Sequence, residues 1–218
     1  GLYITKRSND GLVLDTGHTI NLSGYLRQIE KADTGFIGIT EHMCFKVSFN
    51  CDILWQFKFS GFKQFTFTSM AQSKTSPNYI YLASIRKKET DSISNLWITK
   101  INDSGKIVLD TQFIEPGIMR NAQILINKTN DIFVVAQLDS IKDPLGGGAY
   151  RITQRCWVSK FNNDIKMLSK KYCKDRLGGQ PLKINEDISG NILVSGILAG
   201  DLWVLKMDTN CDSIWTFT

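Results

Sequence analysis

The sequence predicts an all-β chain. It reads as a β-propeller of four-stranded antiparallel blades, about five in all, with four full blades and one half blade in residues 1–218. Three observations lead there. One short phrase is written five times. A second strand-like phrase precedes four of the five. The apolar residues in both phrases alternate with a period of two, the period of a strand.

The five copies are LYITKRSNDGLVLD (2–15), MCFKVSFNCDILW (43–55), LWITKINDSGKIVLD (96–110), CWVSKFNNDIKMLS (156–169) and DLWVLKMDTNCDSIW (201–215). Their common form is aromatic-x-x-Lys-x, a polar turn of Asn, Asp, Ser or Gly, and then an apolar pair. The Lys anchors are Lys6, Lys46, Lys100, Lys160 and Lys206, spaced 40 to 60 residues apart. A constant phrase at unequal spacing describes a fixed unit with connections of variable length. In Trp203-Val204-Leu205-Lys206-Met207 one face carries Trp, Leu and Met, and the other carries Val and Lys. Each phrase is therefore a hairpin of two strands, C and D.

The preceding phrase supplies strand B: TGFIGIT (34–40), NYIYLAS (78–84), DIFVVAQ (131–137) and GNILVSG (190–196). Each follows a polar turn and is rich in β-branched or aromatic residues, as a buried strand is. A further piece before each B supplies strand A: YLRQIEKA, FTFTSMAQSK, AQILINKT and PLKINED. The unit is an antiparallel meander A-B-C-D. A lone meander cannot cover both of its faces, and packing neighbours face to face in a ring buries them. A β-sandwich also has many short strands, but its strands have no reason to repeat in phase.

Closure sets a further expectation. Residues 1–20 supply only C and D, and the chain ends within a D strand. Open blade faces and sheet edges are a liability. The simplest closure is a ring of five whose first A and B strands precede Gly1. A longer ring of six to eight blades, or a partner chain completing the ring, would also close it.

Composition narrows the function classes. The net charge of +5 is spread along the chain, and its clusters, Arg86-Lys87-Lys88 and Lys170-Lys171, are small. That argues against nucleic acid as a partner. No apolar run is long enough for a transmembrane segment. The five cysteines form no Cys-x-x-Cys pair, which argues against a zinc ribbon or a disulfide framework and leaves a single unnamed disulfide open. Cys51 and Cys211 hold the turn position that Gly105 holds in a sister copy, so a small residue is expected there. The two histidines, His18 and His42, lie in different units, and no metal site or cofactor is expected. No nucleophile elbow, zincin helix or P-loop is present, so no catalytic residue is assigned.

The stretch GNILVSGILAGDLWVLKMDTNCDSIW resembles the blade repeats of secreted and surface β-propeller proteins of the Bacteroidetes type, which read Asp-(Leu or Ile)-Trp-Val-x-Lys-x-Asp, then Asn-Gly and a Trp. Ser195, Gly196, Asp201, Trp203, Lys206, Asp208 and Trp215 match. The chain departs at the Asn-Gly turn, which is Asn50-Cys51 and Asn210-Cys211. The resemblance covers the last repeat well and the other four loosely. It implies a binding or scaffold module, extracellular or outer-membrane-associated, and carries over no catalytic residue.

Two connections stand out as a binding surface. The fourth unit has a long insertion between B and C, residues 138–155, containing DPLGGGAYR; the third has a smaller one, IRKKETDSIS (85–94). Elsewhere this turn is short. The B–C turns of a propeller share one rim, and loops on a rigid scaffold commonly carry binding. The candidates are Arg86, Lys87, Lys88, Lys142, Tyr150, Arg151 and Arg155, with a protein or a glycan as the partner. Two other readings compete. One is a glycoside-active enzyme using carboxylates near a channel lined by strand A, where Gln28, Gln123 and Lys183 would face inward and Glu30, Glu186 and Asp187 are the nearest acids. The other is a structural ring within a larger assembly. Asn21, Asn102 and Asn127 open glycosylation sequons, relevant only to a secreted eukaryotic protein.

Overall fold

The computed structural model describes the backbone of residues 2–4, 18–20, 24–73, 75, 78–144, 150–173 and 179–218, and the side chains of 24–73, 75, 78–139, 154–173 and 179–218. Eighteen strands run through it, and there is no helix among the described residues. The chain divides into two compact units, Gly1–Ser60 and Gly61–Thr218.

The first unit holds an antiparallel pair, β1 (Leu2–Ile4) with β2 (His18–Ile20), and blade I: β3 (Leu26–Ala32), β4 (Gly35–Thr40), β5 (Cys44–Ser48) and β6 (Ile53–Phe57). The second holds three blades. Blade II is β7 (Gln64–Gln72), β8 (Ile80–Lys87), β9 (Asn95–Ile101) and β10 (Ile107–Phe113). Blade III is β11 (Ile118–Ile126), β12 (Ile132–Pro144), β13 (Tyr150–Phe161) and β14 (Met167–Tyr172). Blade IV is β15 (Gln180–Glu186), β16 (Ile192–Leu198), β17 (Asp201–Met207) and β18 (Ser213–Phe217). In all four blades the strands pair in chain order, the meander that the repeat predicts. β1 pairs with β2 at His18–Ile20, beyond the phrase 2–15 in which the sequence places the whole hairpin; residues 5–17 lie outside the described residues.

The recurring C–D phrase encodes one turn. Its first residue is Ser48, Asn102, Asn162 or Asp208. Asn162 Oδ1 accepts from the N–H groups of Asp164 and Lys166 at 3.0 and 2.9 Å, and Asp208 Oδ1 accepts from Asn210 and Asp212 at 2.8 Å each. Ser48 Oγ does the same for Asn50 and Asp52 at 3.1 Å, and Asn102 Oδ1 accepts from Lys106 N–H and Ser104 Oγ, both at 2.8 Å. The fourth residue donates its N–H back to the first carbonyl and takes left-handed backbone: Cys51 (φ 67°), Gly105 (78°), Ile165 (58°) and Cys211 (67°). This is a side-chain-capped turn closed by a left-handed residue. It corrects the expectation of a small residue at Cys51 and Cys211. What the position imposes is positive φ, and Ile165 meets that cost with a side chain buried in the core. The A–B turns of blades III and IV reuse the device at Asn127 and Asp187, with Asn130 (φ 61°) and Gly190 (φ 84°) in the left-handed place.

Blade III shows why strand B is apolar throughout. Ile132, Val134, Ala136 and Leu138 join a core with Tyr81, Ala83, Leu96 and Ile98 of blade II. The intervening Phe133 and Val135 join a second core with Val194, Trp203, Leu205 and Met207 of blade IV. Period two sends alternate residues to two different neighbours, so a strand inside the stack is buried on both faces. The Trp-x-Leu-x-Met face of β17 lies against blade III, between blades as the sequence indicates.

A second constant appears in the register. The large residue of strand C faces a small one on strand B: Phe45 opposite Gly38, Trp97 opposite Ser84, Trp157 opposite Ala136 and Trp203 opposite Gly196. A Cβ on Gly196 would stand 2.2 Å from the Trp203 ring and 2.6 Å from the Gln180 carbonyl oxygen; one on Gly38 would stand 2.3 Å from the Phe45 ring. The three indole N–H groups are buried without an acceptor, so packed area rather than hydrogen bonding holds these tryptophans.

The repeated Lys ties turns together. Lys160 pairs with Asp131 and Lys206 with Asp187, each at 2.8 Å, which pins strand C to the A–B turn of its own blade. Lys100 instead reaches blade III: its Nζ donates to the Asn163 carbonyl at 2.9 Å and lies 4.0 Å from the centre of the Tyr79 ring. Tyr81 donates its hydroxyl to the same carbonyl at 3.1 Å. Burial, then the nearby Tyr79 and Asp164, pushes the Tyr81 hydroxyl up to about 12.

Gly196→Val is expected to lower stability by about 2–3 kcal/mol through overpacking against Trp203. Gly200→Ala, at φ 99° with nothing within 4 Å, should cost only about 1 kcal/mol. Urea unfolding of both variants checks the contrast. A second prediction concerns pH. The Lys206 ammonium, and then the N–H of Asn191, hold the Asp187 carboxyl down from 3.8 to about 2. The folded chain therefore takes up this proton later than the unfolded chain as pH falls. The contribution is complete above the ordinary aspartate range and is lost as pH drops through about 2. Asp187→Asn should lower the urea midpoint at pH 6 and converge on the parent protein near pH 2.

Candidate functional site

The B–C connections of the second unit differ sharply. In blade IV two residues suffice, Ala199 and Gly200, both with positive φ (53° and 99°), as a tight hairpin requires. In blade II residues 88–94 join β8 to β9. In blade III the strands run on past the blade, and β12 and β13 pair as far as Pro144 opposite Tyr150. The predicted insertion is thus a two-stranded ribbon; its Gly-rich tip, 145–149, lies outside the described residues. Blades II and III meet along this rim, where the Met119 N–H of β11 donates to the Ser94 carbonyl at 3.2 Å.

The sequence-predicted residues separate into three groups. Arg86 does not lie on a loop, which corrects its expected place on the rim. It is inside β8, opposite Asn95, with its side chain fully buried. Its Nε donates to Ser84 Oγ at 2.8 Å, Nη1 to Asp110 Oδ2 at 2.8 Å and Nη2 to Thr99 Oγ1 at 2.5 Å. The rings of Trp97, Phe62 and Phe65 lie 4.9, 5.3 and 5.6 Å from the guanidinium. Burial lowers its pKa from the ordinary value, and the Asp110 partner opposes that. Strand pairing carries Arg86 inward because β8 extends to Lys87, so only 88–94 of the expected 85–94 insertion is connection.

Lys87 and Lys88 are half-buried at the strand end. Lys87 stands opposite Gln64; Lys88 Nζ lies 4.9 Å from the Trp97 ring centre, and its N–H donates to Asp91 at 3.3 Å. Arg155 is exposed at the base of the ribbon, opposite Leu138. Lys142 and Arg151 occupy directly opposed positions farther out, and Tyr150 stands opposite Pro144.

Two polar clusters on the same rim escaped the sequence reading. Asp139 accepts from Arg120 Nε at 2.8 Å and from Gln137 Nε2 at 2.7 Å, and Asn121 donates to Gln137 at 3.3 Å. Glu115, in the connection from β10 to β11, accepts from Lys170 at 3.0 Å and from the Tyr172 hydroxyl at 2.5 Å. Burial first, then Glu115, holds the Tyr172 hydroxyl above its ordinary value, and the Glu115 hydrogen bond raises Lys170. The only sequence signals were an Asp closing an apolar run and a Glu before Pro116.

Both clusters are asymmetric. The carboxylates are buried, at 4% exposure for Glu115 and 9% for Asp139, while their partners Lys170 and Arg120 are 39% and 54% exposed. With Arg155, these two pairs turn positive ends outward, beside the exposed Glu89 and the half-buried Asp91 of the 88–94 connection. The carboxylates considered for a channel hold hydrogen bonds within their own blade or with the neighbouring one. Asp187 caps the A–B turn, Glu186 accepts from the Lys128 N–H at 3.0 Å, and Glu30 accepts from Gln28 at 2.7 Å.

No protein-family model and no curated protein matches the chain. Among solved structures, the WD40 domain of Pan2 from Neurospora crassa aligns with a TM-score of 0.53 at 11% identity, over 88% of this chain and 51% of that one. A protein of unknown function from Bacteroides caccae aligns at 10% identity over 99% of this chain and 89% of that one, with a TM-score of 0.46. The four antiparallel four-stranded sheets and the likeness to the WD40 domain make this chain a β-propeller. It spans about half the length of the Pan2 WD40 domain.

Asp110→Ala is expected to cost about 2–4 kcal/mol, because it leaves the buried Arg86 guanidinium without its anion. Denaturant unfolding followed by tryptophan fluorescence checks this, and Asp110→Asn, which keeps an acceptor, should cost less.

Proposed function

We propose that this chain is a non-catalytic binding module that engages an acidic protein or glycan through the rim of blades II and III. One observation carries the reading: on that rim the carboxylates of two ion pairs are buried and their cationic partners are exposed. Lys88 and Arg155 add to the same sign, and the ribbon β12–β13 extends the surface. Exposed cations whose carboxylate partners are buried favour recruitment of an oppositely charged partner. The resemblance to Bacteroidetes-type blade repeats supports a place at the cell surface, extracellular or outer-membrane-associated.

The test uses heparin and polyglutamate as immobilised acidic glycan and acidic polypeptide. Replacing 88–94 and 140–153 with two-residue turns should weaken retention on at least one of them by about tenfold or more, while the urea midpoint stays near that of the parent chain. Lys88→Glu with Arg155→Glu should act in the same direction and lower the salt needed for elution. Unchanged retention on both supports would remove the basis of the reading.

A further inference from the structure

We propose that Cys156 and Cys173 form a reversible disulfide that fastens the outer strand of blade III. The two residues follow directly on the register that pairs Trp157 with Tyr172, so they face each other across β13 and the end of β14. The Cys173 N–H donates to the Cys156 carbonyl at 2.8 Å, which marks a hydrogen-bonded cross-strand pair. Such pairs hold their Cα atoms about 5.5 Å apart, inside the range of about 4.4–6.8 Å that a disulfide spans. Their Cβ atoms stand near the upper end of about 4.5–5.5 Å, so the strands close slightly to form the bond, and the strained link is readily reduced. The neighbouring Cys173 thiol, and then burial, hold the Cys156 thiol well above its ordinary value.

The surroundings assign the order of events. Cys156 is fully buried in the core between blades III and IV. Cys173 is half-buried and lines a cleft of about 530 Å³ with Lys171, Tyr172, Cys211 and Thr216. A small disulfide such as oxidised glutathione reaches Cys173 first. The Cys173 thiolate attacks one of its sulfurs and expels one glutathione thiolate. Cys156 then gives up its proton, attacks the Cys173 sulfur and expels the second glutathione. Two protein thiols are oxidised to one cystine, and one glutathione disulfide is reduced to two thiols.

The link has a mechanical role. β14 is a D strand, paired to one neighbour only, and most of its residues are exposed. Closing the hairpin β13–β14 covalently removes the local opening available to an edge strand and restricts the unfolded chain. It also names the disulfide that the sequence leaves open, and it would persist in an oxidising compartment.

The experiment equilibrates the full chain with oxidised glutathione at pH 8 and counts free thiols in denaturant. The reduced chain has five cysteines; the oxidised one should titrate three. A non-reducing tryptic map should contain a peptide joining Cys156 to Cys173, Tm should rise by about 5 °C, and dithiothreitol should reverse both changes. Cys173→Ser, at a partly exposed position, should show neither the linked peptide nor the Tm shift. The proposal is overturned if all five thiols still titrate, if Cys173 carries only bound glutathione, if the peptide joins Cys173 to Cys211 across the cleft, or if Cys173→Ser still loses two thiols.

Discussion

Burial on both faces of each blade inside the stack is the constraint from which the other features follow. The inner strands of a meander placed between two neighbours have no solvent side. The apolar B-strand residues from Ile132 to Leu138 therefore each serve one core or the other, while Gln137 is buried among its hydrogen-bonding partners Asp139 and Asn121. The distance between neighbouring sheets is set by the largest side chain that has to fit. The aromatic of strand C needs a small partner beside it, hence Gly38, Ser84, Ala136 and Gly196. Buried strands leave the backbone no freedom to absorb errors in register, so the turns must be exact in length. The capped turn with a left-handed fourth residue supplies that accuracy in all four C–D hairpins of the full blades.

Among the described residues, the three indole N–H groups, Ser159 Oγ and Asn95 Oδ1 are buried without a partner, whereas charged groups enter this interior with partners. Arg86 is the extreme case: a whole guanidinium is buried with two hydroxyls, a carboxylate and three aromatic rings around it. The repeated Lys is a milder one. Its aliphatic stem covers apolar surface while its ammonium reaches a turn at the blade edge, which suits a long cation better than any neutral residue.

The local part of this structure was legible in the sequence, and the part that depends on distant pairing was not. The C–D phrase declares itself because strand alternation, turn residue and Lys all fall within about fifteen residues of one another. The short B–C turns and the two longer ones follow from the same phasing. Arg86 was misplaced because three basic residues in a row resemble a solvated loop; only the pairing of β8 with β9 as far as Arg86 and Asn95 shows that the strand continues. Arg120 with Asp139, and Glu115 with Tyr172, were invisible because their partners come from different strands or blades. Cys51 and Cys211 beside Gly105 suggest a limit on side-chain size, whereas Ile165 at the same place makes the backbone angle the common requirement.

The contrast between Ala199-Gly200 and the ribbon of blade III carries a consequence for how such a chain changes over time. The same junction between strands B and C tolerates two residues in one blade and a long projecting arm in the next. The arm leaves the paired core of its blade in the common register, with Ala136 still opposite Trp157. Chain length at that junction is thermodynamically cheap, about 0.6 kcal/mol for each doubling of a flexible loop. New sequence can therefore accumulate there, and be tried and discarded, while the rest of the molecule is held to its repeat. The junction is a natural place for lineages to diverge and for a foreign peptide to be grafted.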